Sequence, residues 1–149
     1  MWRELETETD LQTFMDEMSG FHDACIKEIA YLSGAYVNAD LSMHPFNDRG
    51  VLRVLIQRQI EPHAMIEMEF GGLKYLKLFP VDADRFTCEI SGSSLFLKDG
   101  LIYWSDEPDI TKADLDDDVT IVCAKTLRWR PIEGHMGPAE FYRGDEHDE

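Results

Sequence analysis

Short stretches of apolar or alternating residues follow one another from residue 51 to residue 130, and this pattern constrains the fold more than any other feature of the sequence. Such stretches are typical of β-strands, because successive side chains of a strand point to opposite faces of the sheet. We expect strands at residues 51–59, 63–70, 73–79, 86–90, 94–98, 101–104 and 119–130, after a first strand that follows Phe21. The sequence therefore predicts a mainly β (α+β) fold.

Two glycine-containing turns indicate how these strands pair. Gly71-Gly72 and Asp99-Gly100 each lie between predicted strands and suit two-residue hairpins, in which the turn residues adopt positive φ. The implied cross-strand pairs are Glu69–Lys74 and Met68–Tyr75 around the first turn, and Leu97–Ile102 and Phe96–Tyr103 around the second. The result would be an antiparallel meander over residues 21–131, folded as a sandwich or as a curled half-barrel of about seven or eight strands.

One helix is predicted before the strands. Thr9-Asp10-Leu11-Gln12 fits a capping box, and Leu11, Phe14, Met15 and Met18 follow at helical spacing before Gly20, a typical stop signal. We expect a helix at about residues 10–18 that packs its apolar side on the sheet. The whole chain, 1–149, reads as a single domain, with a tail from about residue 144 that is disordered because it has no apolar residues to bury.

The chain is strongly acidic, with 30 acidic and 14 basic residues and a formal net charge of −16. Binding to nucleic acids or to anionic membranes depends on lysine and arginine, so this charge argues against both partners. No signal peptide or apolar stretch of membrane-spanning length is found, which predicts a cytoplasmic protein. Cys25, Cys88 and Cys123 are widely spaced in apolar stretches and are predicted to be reduced core thiols.

Much of the negative charge is concentrated in one connection between predicted strands. Its acidic residues are Asp106, Glu107, Asp109, Asp114, Asp116, Asp117 and Asp118. Because charges of opposite sign accelerate protein association, this connection is the candidate binding site for a basic protein partner. Acidic loops also keep proteins soluble without any partner, so the sequence leaves both interpretations open.

No motif in the sequence identifies a reaction. His22 and Cys25 would lie about 10 Å apart along a strand and on opposite faces, so they do not form a nucleophile–base pair. We expect Phe21 to fill the core and Asp23 to organise the turn with His22 as its tether, while Ile26 and Ile29 pack on opposite sides of the strand. No metal or cofactor is predicted, because metal-ligand spacings, calcium loops and phosphate-binding loops are all missing from the sequence.

Arginines within the predicted strands form one further pattern. Arg53 and Gln57 share one face of a strand, Arg58 lies on the other face, and Arg128 and Arg130 flank Trp129. In so acidic a chain we expect these guanidinium groups to pair with carboxylates of the protein itself. The candidate carboxylates are Glu28, Glu67 and Glu89. The alternative is a small pocket for an anionic ligand, formed by His22, Asp23, Arg53, Arg58 and Arg128.

The stretch Phe21-His22-Asp23-Ala24, followed by Ile26 and Glu28, resembles the FHDA signature of small acidic bacterial proteins that are largely uncharacterised. Some of these are grouped as immunity proteins of toxin systems. Met18-Ser19-Gly20 stands where such proteins usually carry a tryptophan. The resemblance implies a cytosolic binding protein that neutralises a toxin by occupying it, and it supplies no catalytic residues.

Three functions therefore remain open at the level of the sequence. The first is a non-enzymatic, immunity-like interaction protein that binds a basic, toxin-like partner through its acidic surface. The second is a ligand-binding β-fold, or an enzyme, with an arginine-lined pocket. The third is a structural or phage accessory protein.

Overall fold

The computed structural model describes residues 1–80, 87–111 and 118–143 of the chain. The predicted disordered tail from residue 144 lies outside these ranges. In chain order the elements are β1 (Arg3–Leu5), α1 (Glu8–Glu17), β2 (Ala24–Leu32), β3 (Tyr36–Val37), β4 (Met43–His44), β5 (Val51–Arg58), β6 (Met65–Lys77), β7 (Glu89–Ile90), β8 (Ser94–Lys98), β9 (Leu101–Ser105) and β10 (Ile121–Pro131).

The helix α1 begins two residues earlier than predicted, because Thr7 and not Thr9 is its N-cap. The backbone N–H of Asp10 donates to Thr7 Oγ1 at 3.0 Å, and the Asp10 carboxylate accepts from the N–H of Thr7 at 3.0 Å. Hydrogen bonds from the backbone N–H groups of Glu6 and Thr7 hold the pKa of Asp10 below its ordinary value. This reciprocal cap fixes the start of α1 and leaves Leu11 and Phe14 on its buried side.

The main antiparallel sheet has the strand order β7-β2-β5-β6-β10-β9-β8, and β1 pairs with β10 beyond the end of β9, while β3 and β4 pair separately. The sheet curls into a half-barrel with the N-terminal helix, so the predicted mainly β class is confirmed and the half-barrel is the correct alternative. The predicted antiparallel meander is wrong, because the order of the strands in the sheet does not follow their order in the chain. β7 lies at one edge against β2, whereas β8, the next strand along the chain, lies at the opposite edge.

The hairpin predicted at Gly71-Gly72 is also wrong, because β6 runs straight through these glycines. Strand β10 pairs along almost the whole length of β6, with a register shift beside Cys123 where β6 carries an extra residue. Gly72 has a φ of +58° next to Lys125, a conformation that favours glycine. The glycines therefore permit an irregularity within one long strand, and Glu69 does not face Lys74.

The hairpin predicted at Asp99-Gly100 is confirmed. Both turn residues have positive φ, +53° and +78°, as a two-residue turn of this kind requires. Leu97 pairs with Ile102, and Phe96 pairs with Tyr103.

The concave side of the sheet holds the main core. Phe14 of α1 packs against Phe21 and Trp129, with ring centroids 5.6 and 5.1 Å apart, and Trp104 contacts Phe21 at 6.0 Å. The predicted core position of Phe21 is confirmed, since its side chain is fully buried. A register shift in β2 between Ile26 and Glu28 puts Ile26 and Ile29 against the same core, contrary to the prediction.

The C-terminal segment, residues 132–143, lies over the other face of the sheet. The Glu28 carboxylate accepts hydrogen bonds from the backbone N–H groups of Phe141 and Tyr142, at 2.6 and 2.9 Å. Gln57 Nε2 donates to the carbonyl groups of His135 and Gly137. Polar side chains of the sheet thus hold this segment in place.

Candidate functional site

The sheet face opposite the main core carries a row of charged side chains, which we call the charged face. Arg53, Glu69 and Arg128 lie directly across β5, β6 and β10 from one another. Arg53 Nε donates to Glu69 Oε2 at 3.2 Å, and Arg128 Nε donates to Glu69 Oε1 at 2.6 Å. One carboxylate therefore neutralises two guanidinium groups.

A second ion pair lies two residues further along β6 and β10. Arg130 Nε donates to Glu67 Oε1 at 2.9 Å, and the Tyr142 hydroxyl donates to Glu67 Oε2 at 2.9 Å. The Trp2 ring lies over the guanidinium groups of Arg128 and Arg130, with its centroid 4.2 Å from Arg128 Cζ and 4.5 Å from Arg130 Cζ. The predicted pairing of strand arginines with the protein's own carboxylates is thus confirmed for Arg53, Arg128 and Arg130, but Glu69, which was not among the three candidate carboxylates, pairs with two of them.

The five residues predicted as an anion pocket do not come together. Asp23 and Arg58 line a cleft of about 440 Å³ beside Cys25, whereas Arg53 and Arg128 lie on the charged face. The His22 ring lies outside the cleft, with Nδ1 3.0 Å from the Ser91 carbonyl oxygen and Nε2 3.5 Å from Asp23 Oδ1. The His22 ring therefore lies next to the Asp23 carboxylate, but the five residues do not share one pocket.

Arg58 is only 3% exposed, and its Nη1 donates to the carbonyl groups of Pro62 and His63 at 3.0 and 2.9 Å. Burial lowers the pKa of Arg58, although charges on Glu17 and Glu61 oppose this effect. Its Nε has no hydrogen-bond partner among the described residues. The contacts to two carbonyl groups indicate that Arg58 fixes the loop between β5 and β6.

The three thiols are free, but only Cys123 is a core residue. Cys88 is exposed and Cys25 is half-buried, so the predicted core position is wrong for Cys88, which lies directly before the very short β7. Burial and the charge of Cys88 raise the pKa of Cys25, and burial raises that of Cys123. Within the described ranges no three His, Cys, Asp or Glu side chains are placed to bind a metal ion.

A groove of about 480 Å³ runs along the outer edge of β8, and we call it the edge groove. Helix α1 contributes Gln12 and Met15 to one wall, and the connection after β9 contributes Asp109 and Ile110 to the other. Leu95 and Phe96 of β8 form its floor. Ser94 Oγ holds the connection against the sheet, because it donates to the Glu107 carbonyl at 2.7 Å and accepts from the Ile110 N–H at 2.9 Å.

Carboxylates flank the edge groove on both sides. Asp16 accepts a hydrogen bond from Gln12 at 3.2 Å, and Glu8, one turn before Gln12 on α1, is exposed. Asp109 and Asp118 of the predicted acidic connection are exposed, and Asp106 and Glu107 are partly buried. The other predicted residues, Asp114, Asp116 and Asp117, lie outside the described part of the chain. Lys98 is the one cation among the described lining residues.

A second surface was not predicted from the sequence. Strands β3 and β4 form a small hairpin, residues 36–46, whose apolar side chains are largely exposed, Leu41 to 81%. The Tyr36 and His44 rings stack at 4.8 Å, and Phe46 contacts His44 at 5.1 Å. The signal in the sequence is an aromatic and apolar cluster within a stretch rich in Gly, Asn, Asp and Pro, where polar residues are usual.

Comparisons with known proteins give no further assignment: no protein-family model, curated protein or solved structure matches the chain. In the part of the chain that the structure covers, no helix is long and apolar enough to cross a membrane.

Proposed function

We propose that this chain is a non-enzymatic interaction protein that binds a basic protein partner through its acidic surface. The observation that carries this proposal is the edge groove, whose lining combines apolar side chains with Asp109 and which has Asp16 beside it, bonded to Gln12, in a chain of net charge −16. An apolar centre with a charged rim is the usual anatomy of a protein-binding surface. Phe21-His22-Asp23-Ala24 also resembles the signature of small acidic bacterial proteins, some of which are grouped as immunity proteins, and this resemblance favours a toxin-like partner.

Two further observations favour binding over catalysis by the strand arginines or by the cysteine thiols. Glu69 already occupies the guanidinium groups of Arg53 and Arg128, so these side chains are engaged within the protein. The raised pKa values of Cys25 and Cys123 keep both thiols protonated near neutral pH, where a thiolate nucleophile would need a lowered pKa.

Partner association provides the test. Proteins retained by the chain from its native host at low salt are identified, purified and measured for association rate. Neutralising the carboxylates in and beside the groove with Glu8→Gln, Asp16→Asn and Asp109→Asn should slow association about tenfold at low salt, with a smaller effect on dissociation. The difference should shrink as salt rises, because the Debye length falls to about 8 Å at physiological ionic strength.

A matched control removes the same number of charges away from the groove, with Asp40→Asn, Glu133→Gln and Glu140→Gln, all of which are exposed. Equal association rates for the two triple variants would contradict the proposal, because the location of the charges would then be irrelevant.

A further inference from the structure

The floor of the edge groove is the edge strand of the sheet. Strand β8 pairs with β9 on one side, and within the described ranges no strand pairs with its other side. The two-residue turn at Asp99-Gly100 makes Lys98 and Leu101 the hydrogen-bonded pair that closes the hairpin. Since hydrogen-bonded and non-hydrogen-bonded pairs alternate, the backbone N–H and C=O groups of Leu95 and Leu97 point away from β9.

Those outward backbone groups lie beside a recess with the chemistry to hold side chains. Met15 and Ile110 provide apolar surface on its two walls, while Asp16 and Asp109 place negative charge next to it. A strand added to β8 would alternate its side chains between the two faces of the sheet. Apolar groups can then contact the recess, and basic groups can reach the carboxylates.

We propose that an extended, basic segment of the partner adds to the sheet as a strand along the outer edge of β8. This inference rests on the proposed function and names the form of the ligand. Backbone hydrogen bonds to Leu95 and Leu97 supply affinity that does not depend on sequence, as in other cases of strand addition. The carboxylates of Glu8, Asp16 and Asp109 select lysine and arginine. A second copy of this chain is disfavoured as the occupant, because each copy carries a net charge of −16.

The probe is a synthetic peptide of about nine residues that alternates lysine and valine, a length typical of a long strand. Hydrogen exchange of individual backbone amides is measured with and without the peptide. The amides of Leu95 and Leu97 should exchange at least about tenfold more slowly at saturation, while that of Phe96, which faces β9, should change little. Two control peptides should give no protection. One has glutamate in place of lysine and therefore the wrong charge. The other keeps lysine but is N-methylated on the edge that would face β8, which removes its backbone hydrogen-bond donors.

A pair of charge-matched variants tests the location. Asp109→Lys should weaken binding of the lysine peptide about fivefold or more, whereas Glu133→Lys, which changes the net charge equally, should have a much smaller effect. Equal weakening by both variants, or binding that leaves the Leu95 and Leu97 amides unprotected, would overturn strand addition. Protection of these amides that depends on protein concentration without peptide would assign the edge to a second copy and would also overturn it.

The two proposals fail separately. If the neutralised groove variant slows association of the native partner while the peptide leaves Leu95 and Leu97 unprotected, the acidic surface functions without strand addition. If the native partner associates equally fast with the groove and control variants, the proposed function itself is wrong.

Discussion

At the scale of single residues, the charged face depends on Glu69, which is 8% exposed and pairs with two arginines. Replacing it with Gln keeps the shape but removes the negative charge that Arg53 and Arg128 share in a mostly buried setting. We expect Glu69→Gln to lower the free energy of unfolding by about 2–3 kcal/mol, somewhat less than for a fully buried pair because Arg128 is partly exposed. Urea denaturation followed by circular dichroism measures this loss.

The control is Glu140→Gln, which removes the exposed pair between Glu140 and Arg143 and should cost less than about 0.5 kcal/mol. Losses of equal size would show that the pairs around Glu69 add no stability beyond that of a surface pair.

Tyr103 makes stability sensitive to alkaline pH. Burial, followed by the contact with Cys123, raises the pKa of Tyr103 to about 12 from its ordinary value of 10. The unfolded chain therefore loses this proton first, so the contribution of Tyr103 to stability is complete below pH 10 and is lost as the pH rises toward 12. The urea midpoint of the wild type should fall more between pH 9 and about pH 11 than that of Tyr103→Phe. Tyr31→Phe, at an exposed position, should behave as the wild type does.

At the scale of secondary structure, the two predicted hairpins show what a turn signal can establish. Asp99-Gly100 lies between two short strands that pair only with their neighbours in the chain, and the local prediction was correct. Gly71-Gly72 carries a similar signal, but β10, about fifty residues further on, pairs across both sides of it and keeps the strand continuous. Local sequence cannot reveal a partner that distant.

The continuous β6 gives a prediction at this scale. Gly72 has φ +58°, and an added Cβ would lie 2.9 Å from the Lys125 side chain, so Gly72→Ala should lower stability by about 1–2 kcal/mol. Gly92→Ala is the control, because Gly92 does not have positive φ and its added Cβ would lie at ordinary contact distance, 3.4 Å, from Pro108. Thermal unfolding of the two variants should separate them clearly, and equal melting temperatures would contradict the backbone assigned to β6.

At the scale of the whole molecule, composition and periodicity predicted the mainly β class, the helix and the acidic connection. They did not predict the edge groove, because Gln12, Leu95 and Asp109 belong to three separate elements that only the strand order brings together. The prediction of an anion pocket is wrong for the same reason. The predicted arginines lie on strand faces whose neighbours, above all Glu69, are set by pairing between distant segments.

The pairing of β1 with β10 has a consequence for how the protein acquires its structure during synthesis. Arg3–Leu5 are synthesised before their partners Leu127–Trp129, so they cannot form this pairing until the later segment has been made. The Trp2 ring likewise has no Arg128 or Arg130 to cover until that point. Pairing of β1 with β10 is therefore a late event that joins segments far apart in the chain, and such long-range pairing is typical of slow folding.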